Sequence, residues 1–395
     1  MRQSAIIFMV LLCLGSPIMA ETFNVPADVA SIGAALDMAQ AGDLVLVACG
    51  FYFEHDLVMK SGVTLASNTA GAYCATIDAQ GLGRVIVCND VDATASISGF
   101  TIKGGSSAAE GGGIYLNNSS PTIENCIIKN NSALTGGGMA CVNGSSPRIS
   151  WSNFTSNSSD AAGGGISLDA SAPEFYDCIV DNNLAGDVGG GIRAFDSSFS
   201  LTHSNINENN SLGSGAGIRL SGGSDAALSL VTIFGNYAGD NGGGIEIDSS
   251  APTITSCSIV ENACSGSGAG LAIHAASNVG LQKTIISFNT MAEGLWLAGG
   301  DVTITCSDIF GNGDGGAASN WTPEIEGQLA SGNNLDSDPQ FCGSNSSGNY
   351  YLQNDSPCAS SGPGNLCGVL IGSRIVDCGE IATQPSDWGV IKSMY

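Results

Sequence analysis

Positive charge is scarce in this chain of 395 residues: 11 Lys and Arg stand against 36 Asp and Glu, and charged residues of both signs make up only 12%. The net charge of −25 argues against nucleic acid and anionic membrane surfaces as partners, since both need a basic patch. Histidine is equally thin: His55, His203 and His274 are scattered, and no C-x-x-C pair exists, so the usual zinc frameworks are missing. The glycines follow neither G-x-G-x-x-G nor G-x-x-x-x-G-K-[ST], which removes a phosphate loop. No apolar run is long enough to span a bilayer. What is abundant is Gly, at 56 residues, together with Asn and Ser. Such a composition fits neither a helical bundle nor a disordered acidic tail and points to a turn-rich β protein.

The first 20 residues read as a signal peptide: Arg2, an apolar stretch over residues 5–14, and Ser16-Pro17-Ile18-Met19-Ala20 before a cleavage point at Glu21. The expectation is a freely secreted protein with no membrane span and, once Arg2 is gone, a net charge near −26.

Three columns recur with one period in the remainder. Gly-Gly-Gly or Gly-Ala-Gly precedes Ile114, Met139, Ile166, Ile192, Ile218, Ile245 and Leu271, at spacings of 25 to 27 residues, and Leu295 continues the column. An apolar-x-x-Asn unit falls at Ile128/Asn131, Phe154/Asn157, Val180/Asn183, Ile206/Asn209, Ile233/Asn236, Ile259/Asn262, Ile286/Asn289 and Ile309/Asn312. A third apolar column holds Ile123, Ile149, Phe175, Leu201, Leu228, Ile254, Leu281 and Ile304. Each cluster is too short for a helix and alternates with period two, so the unit reads as three short strands separated by Gly, Ser-Pro and Asn turns. One unit cannot bury a core, but stacked coils can, each strand pairing in parallel with its copy one coil away at about 4.8 Å. The Gly column is expected to need positive φ at Gly190 and Gly243, and the Asn column to tolerate left-handed backbone or to bond the Asn stacked on it.

The runs Val25-Pro26-Ala27-Asp28, Ala34-Ala35-Leu36, Gly42-Asp43-Leu44-Val45-Leu46-Val47, Gly62-Val63-Thr64-Leu65 and Gly99-Phe100-Thr101-Ile102 resemble the N-terminal coils of the right-handed parallel β-helix superfamily that includes the pectate lyases. The Gly-Gly-Gly-apolar and apolar-x-x-Asn units also resemble the repeats of polymorphic outer-membrane proteins. The first resemblance implies an all-β, right-handed solenoid of about ten coils over residues 21–312, with a short amphipathic helix from about Ser31 to Ala39 capping one end. Asp338-Pro339-Gln340-Phe341, Ser356-Pro357-Cys358 and Cys367-Gly368 resemble the C-terminal cap of secreted bacterial β-helix proteins, which assigns residues 313–380 to a Cys-rich cap and 381–395 to a tail. Disorder is the simpler reading of that tail than a sorting signal at Trp388-Gly389-Val390-Ile391-Lys392.

Secretion permits disulfides. Cys126 and Cys178 share a column two coils apart, about 9 to 10 Å, beyond the roughly 7 Å limit for a bridge, so they, Cys141 and Cys257 read as buried thiols. Cys342, Cys358, Cys367 and Cys378 are the disulfide candidates.

Alternation also places side chains outside. Arg193, Arg219, Glu246 and Trp296 fall in one outward column, and Asp169, Phe195, Asp248 and His274 in the next. Arg193, Arg219, Asp169, His274 and Trp296 are therefore candidate ligand-binding residues, of the types that bind sugars, while an Arg219–Glu246 pair is expected to be an exposed bridge worth about 0 to 1 kcal/mol. Glu246 and Asp248 are the catalytic candidates for a carbohydrate-active enzyme, at about 7 Å for i, i+2 on one face, a spacing suited to inverting hydrolysis. No catalytic motif of the lyase families can be matched residue by residue. An ice-binding face needs a regular Thr column that is absent. The favoured expectation is a secreted or cell-surface noncatalytic protein that binds polysaccharide or a surface glycan; the alternative is a polysaccharide lyase or inverting glycoside hydrolase. No metal site or cofactor is expected, calcium being the one ion an enzyme would admit.

Overall fold

The computed structural model describes residues 20–68, 74–313, 320–342 and 350–378; the expected signal peptide, Ala20 apart, and the expected tail lie outside the described residues. Between them the chain winds into a solenoid of about eleven coils in which every named strand pair is parallel. Three sheets run its length. The first, of twelve strands, carries Ile123, Ile149 and Phe175; the second, of eleven, carries Ile128, Phe154 and Val180; the third, of ten, carries Ile114, Met139 and Ile166. A fourth sheet of seven short strands, from Ser106–Glu110 to Ala263–Cys264, lies between the second and third along the chain, where the repeat shows mostly polar and small residues and no apolar column. The three-strand unit read from the sequence is thus a four-strand coil.

All three apolar columns point inward and are fully buried. Large rings fill the centre edge to face, Phe154 against Phe175 at 6.5 Å and Phe175 against Phe199 at 6.3 Å, an arrangement that aromatic quadrupoles favour. At the N-terminal end a helix spans Ile32–Met38, as the resemblance implies. Ser31 caps it by accepting the Ala34 N–H, Glu54 accepts the N–H groups of Ile32 and Gly33, and Ile32, Ala35 and Leu36 are buried.

The Asn column is an internal hydrogen-bond ladder. From Asn131 to Asn289, each Asn donates both its backbone N–H and its Nδ2 to the Oδ1 of the Asn one coil on, at 2.8–3.1 Å. The second Nδ2 proton reaches a carbonyl of the preceding coil, as from Asn157 to Ile128 at 2.9 Å. These amides are 0–1% exposed, so any unmade bond would leave a buried polar group costing about 1 to 3 kcal/mol. The left-handed residue of the corner is the one before the ladder, Asn130, Ser156, Asn182 or Glu208, and not the ladder Asn itself.

Two further ladders use hydroxyls. Backbone N–H groups of Ser119, Ser171, Ser197 and Ser224 donate to the Oγ of the next coil's Ser at 3.0–3.1 Å, which gives the Ser of each Ser-x-Pro corner its purpose. Cys126 and Cys178 donate likewise to Ser152 and Ser204. Both remain buried thiols, as do Cys141 and Cys257.

The Gly triplets meet two separate demands. Positive φ falls on the first member, Gly189 (+68°) and Gly242 (+64°), and not on Gly190 or Gly243 as expected. Those two are glycine because a Cβ on Gly190 would lie 2.4 Å from the Asn210 carbonyl oxygen, and one on Gly243 2.3 Å from that of Ala263.

The C-terminal region does more than cap an end. Trp321 and Ile325 join the solenoid core, and Gln328 closes the last strand by accepting the Ile304 N–H and donating to the Val302 carbonyl. The following segment folds back along the flank of the second sheet, burying Tyr350, Leu352, Cys358 and Ile371 against Val260 and Ile285. The disulfide expectation needs correction. Cys342 pairs with Cys378, but Cys367 pairs with Cys306, and Cys358 is a buried thiol. Cys358 faces the buried Asp308, whereas Cys306 sits at a left-handed corner 5.8 Å, Cα to Cα, from Cys367. A third bridge, Cys49–Cys74, joins residues 25 apart, one coil, at 4.8 Å between Cα atoms.

Asn209→Ala strands the Asn183 donors and the Val180 carbonyl in the core, and denaturant titration should show a loss of about 3 kcal/mol or more. Gly190→Ala should cost more than about 2 kcal/mol through backbone overlap, while Gly327→Ala, with open space at its Cβ, should stay within about 0.5 kcal/mol.

Candidate functional site

The third sheet brings the candidate residues together because its strands stack without slip. Ser167, Arg193, Arg219, Glu246, Ala272 and Trp296 occupy one row of paired positions, and Asp169, Phe195 and Ser221 a second. Within these rows the side chains form two adjoining groups.

In the first group, Arg193 Nη1 lies 3.4 Å from Asp169 Oδ2 and donates to the Leu168 carbonyl, and its guanidinium sits 5.1 Å from the ring centre of Phe195. Phe195 is 43% exposed, which leaves much of this ring open to a ligand. In the second, Arg219 contacts Glu246 at 3.0 Å and Asp248 at 3.4 Å, and His274 Nε2 lies 2.8 Å from the other Glu246 oxygen. Trp296 meets the His274 ring edge to face at 5.4 Å.

Glu246 corrects the expectation of an exposed bridge: it is only 4% exposed. The first glycine of its own triplet covers it, since a Cβ on Gly242 would stand 2.6 Å from the Glu246 Cβ. Burial pushes the Glu246 carboxyl above its ordinary range, opposed by Arg219, by His274 and by the Ser214 hydroxyl. Ser167, one coil before Arg193 in the same row, is likewise 4% exposed under the positive-φ Gly163, whose added Cβ would lie 2.9 Å from its own.

Five of the predicted binding and catalytic residues thus share one cluster, Arg219, Glu246, Asp248, His274 and Trp296; Arg193 and Asp169 form the other. The sequence places Phe195 outward without naming it a candidate; the structure leaves it 43% exposed beside Arg193, with Gly222, whose Cβ would lie 2.8 Å from its ring, one coil on. Reading the sequence missed Ser214 and Gly242, whose contacts follow from the turn and not from strand alternation. Among the described residues no three His, Cys, Asp or Glu side chains gather as a metal site. No helix among them is long and apolar enough to cross a membrane.

Residues 84–258 match the family model described as "Right handed beta helix region". The chain has the right-handed parallel β-helix fold. The crystal structure of pectate lyase Pel9A is similar at 14% identity over 90% of this chain and 96% of that one, with a TM-score of 0.58. The A-module of the mannuronan C-5 epimerase AlgE4 of Azotobacter vinelandii is similar at 18% identity, over 72% of this chain and 83% of its own, with a TM-score of 0.47. The polygalacturonase of Erwinia carotovora follows at 12%, 72% and 94%, with a TM-score of 0.32. No curated protein matches the sequence. At these identities the likeness concerns the fold.

Arg219→Ala should leave Glu246 buried without its main counter-charge and cost about 3 to 5 kcal/mol. Arg148→Ala, which breaks the exposed Arg148–Glu174 pair, should change the melting temperature little.

Proposed function

We propose that the protein is a secreted polysaccharide-binding β-helix that lays a neutral glycan along the outer face of its third sheet. One observation carries the reading: Arg193 and Arg219, each already paired with carboxylate, share a straight row with the Trp296 ring, and the Phe195 ring, 43% exposed, stands beside Arg193 in the adjoining row. Aromatic faces stack on the apolar faces of sugar rings, and fixed Arg–carboxylate pairs offer a donor and an acceptor to neighbouring hydroxyls. Three disulfides support a life outside the cytosol, where such bonds persist.

Charge selects the class of glycan. Two arginines against Asp169, Glu246 and Asp248 leave the strip negative by one with His274 neutral, on a chain of net charge −25. A polyuronate such as pectate, the substrate named for the similar lyase, would meet repulsion here unless cations screened it. A neutral chain meets none.

A carbohydrate-active enzyme is the second reading, favoured by the buried Glu246 with its raised carboxyl pKa beside Asp248, since an acid and a base of different environment are what glycoside hydrolysis requires. The clamp on both Glu246 oxygens weighs against it, because a carboxylate so held is poorly placed to turn toward a ligand.

Affinity electrophoresis against a panel of polysaccharides separates these readings. Phe195→Ala with Trp296→Ala should abolish retardation by neutral glycans, with a melting temperature close to that of the parent. Full retention by this double variant contradicts the site. Product release that stops in both Glu246→Gln and Asp248→Asn, with retardation intact, would favour the enzyme.

A further inference from the structure

On the outer face of the second sheet, Thr232, Ser258, Ile285 and Asp308 stand in one register column, where a sheet would ordinarily meet water. All four are 0–1% exposed, because the folded-back residues 335–342 and 350–378 lie on them. Ser373 Oγ bonds Thr232 at 2.8 Å and Ser258 at 3.0 Å, Arg374 donates to Asn205 at 2.9 Å, and Tyr350 donates to Glu261 at 3.1 Å. At the end of the column Asp308 is wholly covered. Its Oδ1 accepts the Ser337 N–H at 3.2 Å and its Oδ2 the Cys358 thiol at 3.3 Å, both neutral donors from the segment.

No cation answers this carboxyl. Among the described residues it makes no ion pair; its own strand, Asp308–Phe310, and the paired Ile285–Ser287 carry no other charge, and Lys283 at the corner before the latter is not bonded to it. The charges that the segment brings nearby, Asp336 and Asp338, are of like sign. An ionised Asp308 under the closed segment would be a buried charge without a counter-ion, which proteins avoid by protonation or by admitting water.

We propose that the folded-back residues 335–342 and 350–378 act as a proton-controlled flap on the second sheet, held down while Asp308 carries its proton and loosened when it ionises. Disulfides Cys306–Cys367 and Cys342–Cys378 tie the segment to the solenoid and to itself, so it lifts without leaving. Burial, assisted by Asp336 and Asp338, pushes the Asp308 carboxyl from 3.8 up to about 7. Because the closed-state pKa lies above the open-state value, the contribution to closure is complete below about pH 4 and is lost as pH rises through about 7. This flap is independent of glycan binding, since it lies on a different sheet.

Alkylation of the Cys358 thiol by a maleimide, followed by mass spectrometry without reduction, reads the flap directly, with core Cys126 as internal reference. The Asp308→Asn variant keeps the shape and removes the titration. The ratio of Cys358 labelling rates, parent over variant, should rise about tenfold or more from pH 5 to pH 8, each pKa unit of coupling being a factor of ten. The Cys126 ratio should stay flat. A flat Cys358 ratio, or a Cys126 ratio that rises with it, overturns the proposal. If the Asn variant does not fold, Asp336→Asn with Asp338→Asn on the exposed side of the segment should move the midpoint of the parent's labelling curve to lower pH, and an unmoved midpoint overturns it equally.

Discussion

The buried asparagine ladder is the constraint from which the remaining structure follows. Each Asn gives the preceding coil one acceptor and takes from it one backbone and one side-chain donor, so a slip of a single residue would unmake several buried bonds at once. Parallel strands alone do not fix their register strongly, since neighbouring apolar side chains tolerate one another. A ladder of amides does, because a buried donor without an acceptor is costly. The Ser ladder in the opposite corner and the Cys–Ser column between the first and second sheets repeat the device with hydroxyls. Three rows of internal hydrogen bonds thus hold each coil directly above the last.

Once the register is fixed, the outward positions become straight columns, and chemistry can be arranged along them. The third sheet carries paired charges and rings in such a column. The positive-φ glycines add a second effect: with no side chain of their own, they let the turn close over the residue four places on and bury Glu246 beneath it. The result is an Arg219–Glu246–His274 clamp with the partly exposed Trp296 ring against its histidine. On the second sheet the same straightness gives the C-terminal segment a flat bed, and Asp308 at the end of that bed is fully covered.

The solenoid was legible because its signals are periodic: Ile128/Asn131 and its successors repeat with near constancy, and alternation within a strand places Arg193 and Trp296 outside without any knowledge of neighbours. Three things were not. The fourth sheet uses residues such as Asn210, Ser211, Ala263 and Cys264, whose small or polar side chains carry no apolar alternation. The burial of Glu246 and Ser167 depends on turn closure, which alternation does not encode. The disulfide partners depend on corners: Cys306 lies in the same left-handed, outward corner column as Trp151 and His203, and could have been found there, while Cys49 and Cys74 are one period apart. Cys358, adjacent to Ser-Pro in a region without repeats, offered no periodic clue that it faces Asp308.

A crystal structure of the protein with a neutral oligosaccharide of several sugars bound tests most directly the claim that coil register builds a linear binding row. The account predicts continuous sugar density along the solenoid axis, stacked on Phe195 at one end and Trp296 at the other, with Arg193 and Asp248 in contact with hydroxyls. Sugar density on another sheet, or lying across the strands of the third, would contradict it.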